Sequence, residues 1–310
     1  MSRRNVDLGS GSVGKLLFSL AVPTITSQIV NMLYNLVDRV YIGHMQPVET
    51  VGKLALTGVG VCLPIIMVIS AFAALMAFGG APRASIAEGR GDLKESERIM
   101  GNSFTMLVAV SVVLTVVFLV FAEPMLRIFG ASDNTIGYAL NYMRIYALGT
   151  IFVQVTLGMN AYITAQGFTV VGMKTVLIGA ILNTVLDPIF IFPMKLGVTG
   201  AAMATMLSNA IATGYFIALL RRNKGKTVIG FSPKHYSLGF GIPREVLLVG
   251  FPSFVMMFMG TFSNTVLNKM VVSYSNQAIA GMGIAKKIDM LAFAIANGMT
   301  QGVLPLIGYN

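Results

Sequence analysis

Five polar side chains recur along the otherwise apolar stretch LAVPTITSQIVNMLYNLVDRVYIG. Their spacings of 4, 3, 4 and 3 residues put them on one face of a helix: Thr24, Gln28, Asn31, Asn35 and Asp38. A carboxylate and three amides on one face can bind a cation, a proton or a polar ligand. Hydrogen bonding between helices is the simpler explanation, but it does not require a carboxylate. The stripe therefore predicts a functional cavity.

A second stretch, ILNTVLDPIF, supplies a partner carboxylate. Asn183 and Asp187 lie four residues apart on one helical face, and Pro188 follows at once. Further along, Thr205 and Asn209 again share a face. Proline removes an amide donor and clashes with the preceding turn, so Pro188 marks a potential hinge near Asp187, and Pro23 marks another beside the polar stripe. Two carboxylates in a low-dielectric bundle repel each other, and a bound proton or sodium ion would relieve that repulsion.

The elements that must position these groups are membrane-spanning helices. Of the 310 residues, 55% are hydrophobic and 11% are charged, and the mean hydropathy is +0.77. The apolar residues fall in blocks of about 20 or more, the length that a helix needs to cross a bilayer. Eight spans are predicted: Leu16 to Gly43, Leu54 to Gly79, Met100 to Phe121, Gly137 to Ala165, Val170 to Pro193, Val198 to Leu220, Val246 to Ser273 and Ala278 to Gly308. The sequence therefore predicts an all-α polytopic membrane protein.

The net charge of +10 comes from cations whose distribution among the loops is typical of membrane orientation, and not of a groove that binds nucleic acid. Cations cluster before the first block, between the second and third, and between the sixth and seventh: Arg3, Arg4, Lys15, Arg83, Arg90, Lys94, Arg98, Arg221, Arg222, Lys224, Lys226, Lys234 and Arg244. The loops between hold little beyond Lys53, Arg127 and Lys195. This alternation predicts a cytoplasmic N-terminus and a multi-pass protein of a prokaryotic inner (plasma) membrane.

Residues that would carry other chemistry are scarce. The single cysteine, Cys62, excludes a disulfide framework and a cysteine metal site. The two histidines, His44 and His235, fall at a helix end and in a loop, which argues against catalysis. GSGSVGK at residues 9–15 resembles a phosphate-binding loop, but Leu16 replaces the hydroxyl residue that would hold magnesium. We therefore do not expect an enzyme.

The chain also repeats itself weakly. LAVPTITSQIVNMLYNLVDRV matches VGFPSFVMMFMGTFSNTVLNK at an offset of 229 residues, with Pro23 aligned to Pro252 and Asn35 to Asn264. A duplicated six-helix unit explains this, the copies being related by an axis along the membrane normal. The predicted organisation is a cytoplasmic leader (1–15), a six-helix bundle (16–220), a cytoplasmic linker (221–242) and the first two helices of a second bundle (243–310). Four helices of that second copy are missing, so the sequence looks truncated after the eighth helix.

Four segments together resemble multidrug and toxic compound extrusion (MATE) transporters, particularly the prokaryotic DinF-like branch: LAVPTITSQIVNMLYNLVDRVYIG, ILNTVLDPIFIF, GVTGAAMATMLSNAI and LPLIGYN. The resemblance implies two six-helix bundles around a central cleft. It also implies a proton or sodium site formed by Asp38, Asn183, Asp187 and Thr205, with a bend of the first helix at Pro23. Tyr34, Asn35, Tyr142 and Asn160 fall where relatives line a cavity. Some relatives have a carboxylate in the seventh helix, and this sequence has none there.

The resulting prediction is secondary active efflux of amphipathic or cationic organic compounds in exchange for protons or sodium. No cofactor other than the coupling ion is expected. The expected partners are small amphipathic substrates and membrane lipids, without nucleic acid, and a full-length chain is expected to be monomeric. The alternative is a flippase for lipids or lipid-linked sugars, which would need several cations in the cavity, whereas the first six spans offer only Arg39 and Arg144 near their interiors. A membrane enzyme or receptor-like scaffold would need a nucleophile, a metal cluster or a soluble domain.

Overall fold

The computed structural model describes residues 12–222, 241–272 and 276–309. The predicted leader and linker lie largely outside the described residues, as does His235. The described residues form ten α-helices and no strand, with a short π-helical segment, Val48–Gly52, leading directly into the second helix. The helices are α1 (Val13–Gly43), α2 (Lys53–Gly89), α3 (Leu93–Val120), α4 (Ala122–Ile128), α5 (Ile136–Leu148), α6 (Thr150–Ala165), α7 (Thr169–Ile191), α8 (Gly197–Arg222), α9 (Gly241–Val272) and α10 (Asn276–Tyr309).

Seven described helices are long and apolar enough to cross a membrane, and α5 with α6 makes an eighth span if the bent pair is counted as one. The pair turns by 57° at Gly149, inside the block that was predicted as a single span. A Cβ at Gly149 would come within 2.8 Å of the Met206 side chain of α8, so glycine permits close packing at the bend. The prediction of an all-α polytopic protein is confirmed.

Helix α2 is longer than the sequence blocks indicated. The predicted span ends at Gly79, yet the helix continues to Gly89. Arg83, assigned to a loop from the sequence, therefore lies on α2, where it pairs with Glu245 of α9. Hydropathy marks only the part of a helix that suits hydrocarbon, and the charged continuation is still helical. The turn that follows uses Gly91 at a φ of +81°, a conformation that favours glycine.

The seventh and eighth spans pack on the first two. Helix α9 packs along α2, and α10 packs along α1. Helices α1 and α9, which the sequence repeat aligns, are similar in length, at 31 and 32 residues. Helices α9 and α10 are thus held against the first two helices of the chain.

Glycines allow the close approach of these helices on one side of the membrane. A Cβ at Gly250 of α9 would collide with the carbonyl oxygen of Leu75 on α2, and one at Gly298 of α10 would collide with the backbone of Ile25 on α1. Both contacts lie toward the ends of the helices that share a side with the N-terminus of α1. The helices are therefore closed against one another on that side.

Candidate functional site

Asp38 of α1 and Asp187 of α7 lie side by side in the interior of the bundle. Asp38 is 8% exposed and Asp187 is fully buried. Their carboxyl groups are within hydrogen-bonding reach of each other. Helix α1 packs along α7, and this packing brings together two residues that are 149 positions apart. Two adjacent carboxylates cannot both stay charged cheaply in a dry interior, so they favour sharing a proton or a cation.

Asn183 links the carboxylate pair to α8. Its Nδ2 donates to Asp187 Oδ1 at 3.2 Å and to the hydroxyl oxygen of Thr205 at 3.2 Å. Asn183 is one helical turn before Asp187, so the sequence spacing of four residues creates the first contact directly. Asp38, Asn183, Asp187 and Thr205 therefore form one cluster from three helices.

Several oxygen atoms of this cluster have no hydrogen-bond partner among the described residues. They are Asp38 Oδ1, Asn183 Oδ1 and Asp187 Oδ2. Buried polar atoms without partners are uncommon and cost about 1–3 kcal/mol each. Carboxylate and amide oxygens are hard ligands that suit sodium as well as a proton. Among the described residues no three His, Cys, Asp or Glu side chains come together, so the donor set does not resemble a transition-metal site.

A structural ion pair does not account for Asp38. Arg39 is exposed, and no ion pair within 4 Å joins Asp38 to Arg39 or Arg144 in the described part of the chain. Arg83 and Arg127, which do form salt bridges, lie elsewhere. The Arg39 charge acts on Asp38 from a distance, and neither arginine forms a direct ion pair with the buried carboxylate among the described residues.

A cavity of about 380 Å³ opens beside the cluster. Eight of the predicted site residues line it: Gln28, Asn31, Tyr34, Asn35, Asp38, Tyr142, Asn183 and Thr205. The rings of Tyr142 and Tyr146 stack, with 6.1 Å between centroids, and form an aromatic part of the wall. A wall that combines aromatic faces with a carboxylate suits an organic cation.

Two polar residues singled out from the sequence lie outside both the lining and the cluster. Thr24 begins the polar stripe, but its hydroxyl is directed to the Gly298 carbonyl oxygen of α10 at 2.6 Å, so it joins two helices. Asn160 was expected in the cavity, and the structure places it between α6 and α7 instead. It donates to the Gly172 carbonyl oxygen at 3.2 Å and accepts from Thr164, so its amide serves packing.

Other lining residues were not selected from the sequence. Tyr146 is one turn after Tyr142, and Ser208 is one turn after Thr205; the Ser208 hydroxyl is buried without a partner among the described residues. Helix α10 contributes a further face: Met290, Phe293, Ala294 and Asn297. The spacing of these four residues is helical, but their contact with the cavity depends on how α10 packs against α1.

Both predicted hinge prolines lie inside described helices. Pro23 interrupts the hydrogen-bond ladder of α1, and the Ser27 hydroxyl donates to the Pro23 carbonyl oxygen at 2.9 Å. Pro188 lies in the last turn of α7, directly after Asp187. Bending at either proline stays a prediction.

Comparison with known proteins gives the same picture. The MatE family model matches residues 23–189 and 252–310. The multidrug export protein MepA of Staphylococcus haemolyticus (strain JCSC1435) is 30% identical over 299 residues, covering 96% of this chain and 65% of the relative. MepA of Staphylococcus aureus (strain NCTC 8325 / PS 47) is 28% identical over 298 residues, covering 96% of this chain and 64% of the relative. The chain thus spans a little less than two thirds of the length of these relatives.

Solved structures agree over the whole chain. The MATE multidrug transporter DinF-BH, solved as a complex, is 30% identical with a TM-score of 0.89, and the match covers 100% of this chain and 68% of the other. An outward-facing MATE family transporter of the MOP superfamily is 26% identical with a TM-score of 0.89, covering 100% and 67%. These relatives are transporters rather than enzymes, as expected from the sequence. The chain is an integral multi-pass membrane protein that belongs to the MatE family.

Proposed function

We propose that the protein acts in secondary active multidrug efflux, exchanging amphipathic or cationic organic compounds for protons or sodium through the Asp38–Asp187 site. The observation that carries this proposal is the contact between two buried carboxylates at the edge of a membrane-embedded cavity. A charged side chain inside a membrane is expensive, and it persists where it serves ion movement. The names of the MepA and DinF-BH relatives support the class of substrate.

The coupling ion is the substrate that neutralises the pair. When a proton or sodium ion binds between Asp38 and Asp187, the mutual repulsion is removed and the unpaired oxygens gain a partner. Asp38 belongs to the cavity wall as well as to the ion cluster, so ion binding reduces the negative charge that an organic cation would contact. Ion entry and cation release are thereby coupled at one side chain.

An ion gradient supplies sufficient free energy for this exchange. One pH unit is worth about 1.4 kcal/mol per proton, and 100 mV is worth about 2.3 kcal/mol per net charge. No nucleotide is required. The orientation that we propose, a cytoplasmic N-terminus in a prokaryotic inner membrane, rests on the distribution of Lys and Arg between loops.

The lining gives little support to the flippase alternative. Among the described residues Arg39 lines the cavity, whereas Arg144 does not. A site for a phosphate headgroup inside the cavity would need several cations. An organic cation fits the described lining better.

Transport by inside-out membrane vesicles tests the proposal, with the planar organic cation ethidium as the probe. A sodium gradient and a pH gradient are imposed in separate experiments. Ethidium uptake should rise in one of the two. Asp38→Asn should abolish this response, because the isosteric amide cannot bind the ion in the same way. Glu123→Gln, which removes an exposed carboxylate far from the cavity, is the matched control and should keep it. Gradient-driven uptake at the parental rate by Asp38→Asn would refute the assignment.

A further inference from the structure

A second cavity lies between the C-terminal end of α1 and the N-terminal end of α2. It has a volume of about 460 Å³. Its lining is apolar except for two side chains: Leu36, Arg39, Val40, Gly43, His44, Leu56, Val59, Gly60 and Leu63. We call it the α1–α2 groove. It lies on the membrane side opposite to the one where α9 and α10 close on α2 and α1, and no described residue of α9 or α10 lines it.

Helix packing and two glycines keep the α1–α2 groove open. Helix α1 packs mainly on α7 and α10, so it diverges from α2 here. No atom lies within 4 Å of the position that a Cβ on Gly60 would occupy, and a Cβ on Gly43 would meet only Leu56, at 3.6 Å. The groove therefore has room for a slender apolar chain.

The polar end of the groove carries unused hydrogen-bond donors. Arg39 is exposed, and no hydrogen bond or ion pair is formed by its guanidinium with the described residues, even though Asp38 Oδ1 is also without a partner. His44 Nδ1 donates to the Val40 carbonyl oxygen at 2.7 Å, so the free donors at this end belong to Arg39. Arg39 is four residues before the end of α1, about 6 Å along the helix axis, so its long side chain reaches the level of lipid headgroups.

We propose that the α1–α2 groove binds an anionic phospholipid, with the phosphate at Arg39 and an acyl chain along Leu36, Leu56 and Leu63. A guanidinium binds phosphate oxygens in a bidentate manner, and the aliphatic lining matches the chain. Charge complementarity favours an anionic headgroup over a zwitterionic one. The proposal rests on the membrane location of the chain and not on its transport function.

A lipid bound in the groove would also affect the neighbouring cavity, because the two spaces share lining residues. Arg39, Val59 and Leu63 line both spaces. A lipid phosphate that holds Arg39 in the groove would draw this cation away from the cavity wall that contains Asp38. The lipid would then leave the cavity more attractive to an organic cation.

The absence of tryptophan from the sequence allows a specific test. Leu56→Trp places the single indole in the groove, and Ile211→Trp places it on the exposed side of α8 as a control. Each purified protein is reconstituted in bilayers that contain brominated phosphatidylglycerol or brominated phosphatidylcholine, and fluorescence quenching is measured. Quenching at Leu56→Trp should reach its midpoint at about a fivefold lower mole fraction of the anionic lipid, equivalent to about 1 kcal/mol for one cation near anionic lipid. Quenching at Ile211→Trp should differ little between the lipids.

Charge variants identify the donor. Adding Arg39→Gln to Leu56→Trp should remove the fivefold preference, whereas adding Lys53→Gln, an exposed cation that does not line the groove, should keep it. Val40→Trp, also on the groove wall, is the second reporter if Leu56→Trp does not fold. The proposal would be overturned by equal quenching with both lipids or by a preference that survives Arg39→Gln. It would also be overturned if a protein segment or a second copy of the chain shielded the indole from both lipids.

Discussion

Replacing Asp187 by asparagine should stabilise the protein while removing its ion response. Asp187 is fully buried, and its Oδ2 has no hydrogen-bond partner among the described residues. Asparagine keeps an oxygen that can accept from Asn183 Nδ2, which is 3.2 Å from Asp187 Oδ1 in the parental protein. The new amide can donate to the Asp38 carboxylate. The substitution therefore turns a repulsive contact into a hydrogen bond at nearly constant volume.

The size of the effect follows from the groups that are removed. A charged carboxylate at the centre of a spanning helix costs roughly 2.5–3.5 kcal/mol on insertion scales, and an unsatisfied buried oxygen costs about 1–3 kcal/mol. These costs overlap, so we expect a gain of about 2–3 kcal/mol in the free energy of unfolding. With about 2 °C per kcal/mol for a chain of this size, Tm should rise by about 5 °C.

Thermal unfolding in detergent, run at neutral pH without sodium, measures this gain. Glu123→Gln is the matched control, because it also removes one carboxylate charge but breaks an exposed pair with Arg127. Such a pair contributes less than about 1 kcal/mol, so the control should lose a little stability rather than gain it. Asp38→Asn should behave like Asp187→Asn, and the double variant should add little, because both residues serve one site.

The sign of the change decides between the two roles of the carboxylates. A lower Tm for Asp187→Asn and Asp38→Asn would mean that the carboxylates hold the bundle together, and the coupling account would fail. A raised Tm with ion-dependent stabilisation retained in both variants would also contradict it, because the ion would then bind elsewhere.

Three further substitutions probe the elements around the site. Pro23→Ala should leave folding and ethidium binding intact but slow vesicle exchange, since the restored amide favours one shape of α1; normal turnover would show that α1 does not need to bend there. Thr24→Val should lower Tm by about 2 °C, through the loss of roughly 1 kcal/mol from the hydrogen bond to Gly298, and an unchanged Tm would show that this contact contributes nothing. Tyr142→Ala should weaken ethidium binding about tenfold in equilibrium dialysis through a lost cation–π contact, while Asn160→Ala should lower Tm without changing the dissociation constant; the opposite pattern would reverse their assigned roles.

Local periodicity predicted the parts of the site that lie on single helices. The 4, 3, 4 and 3 spacing placed Gln28 to Asp38 on one face, and the four-residue spacing predicted the contact between Asn183 and Asp187. Helical spacing is a property of the chain itself, so it can be read without knowing the neighbours. That Asp38 and Asp187 belong to one site was implied by the resemblance to MATE transporters, not by spacing within one helix.

Properties that depend on neighbouring helices were not predicted. Thr24 shares the face of the polar stripe, but α10 covers that end of α1, so the hydroxyl serves packing. Asn160 was placed by family resemblance, whereas the nearby Gly172 carbonyl occupies its amide. The bend at Gly149 depends on close packing against Met206, and neither partner reveals the other in the sequence.

Equilibrium dialysis of ethidium against the purified protein tests the central claim most directly. Bound ethidium is measured as sodium is raised at constant pH, and then as pH is lowered at constant sodium, for the parental protein and for Asp38→Asn. The account predicts that one of the two ions displaces ethidium from the parental protein and that Asp38→Asn loses this displacement. Bound ethidium that does not respond to either ion, or a response of equal size in Asp38→Asn, would contradict ion coupling through Asp38 and Asp187.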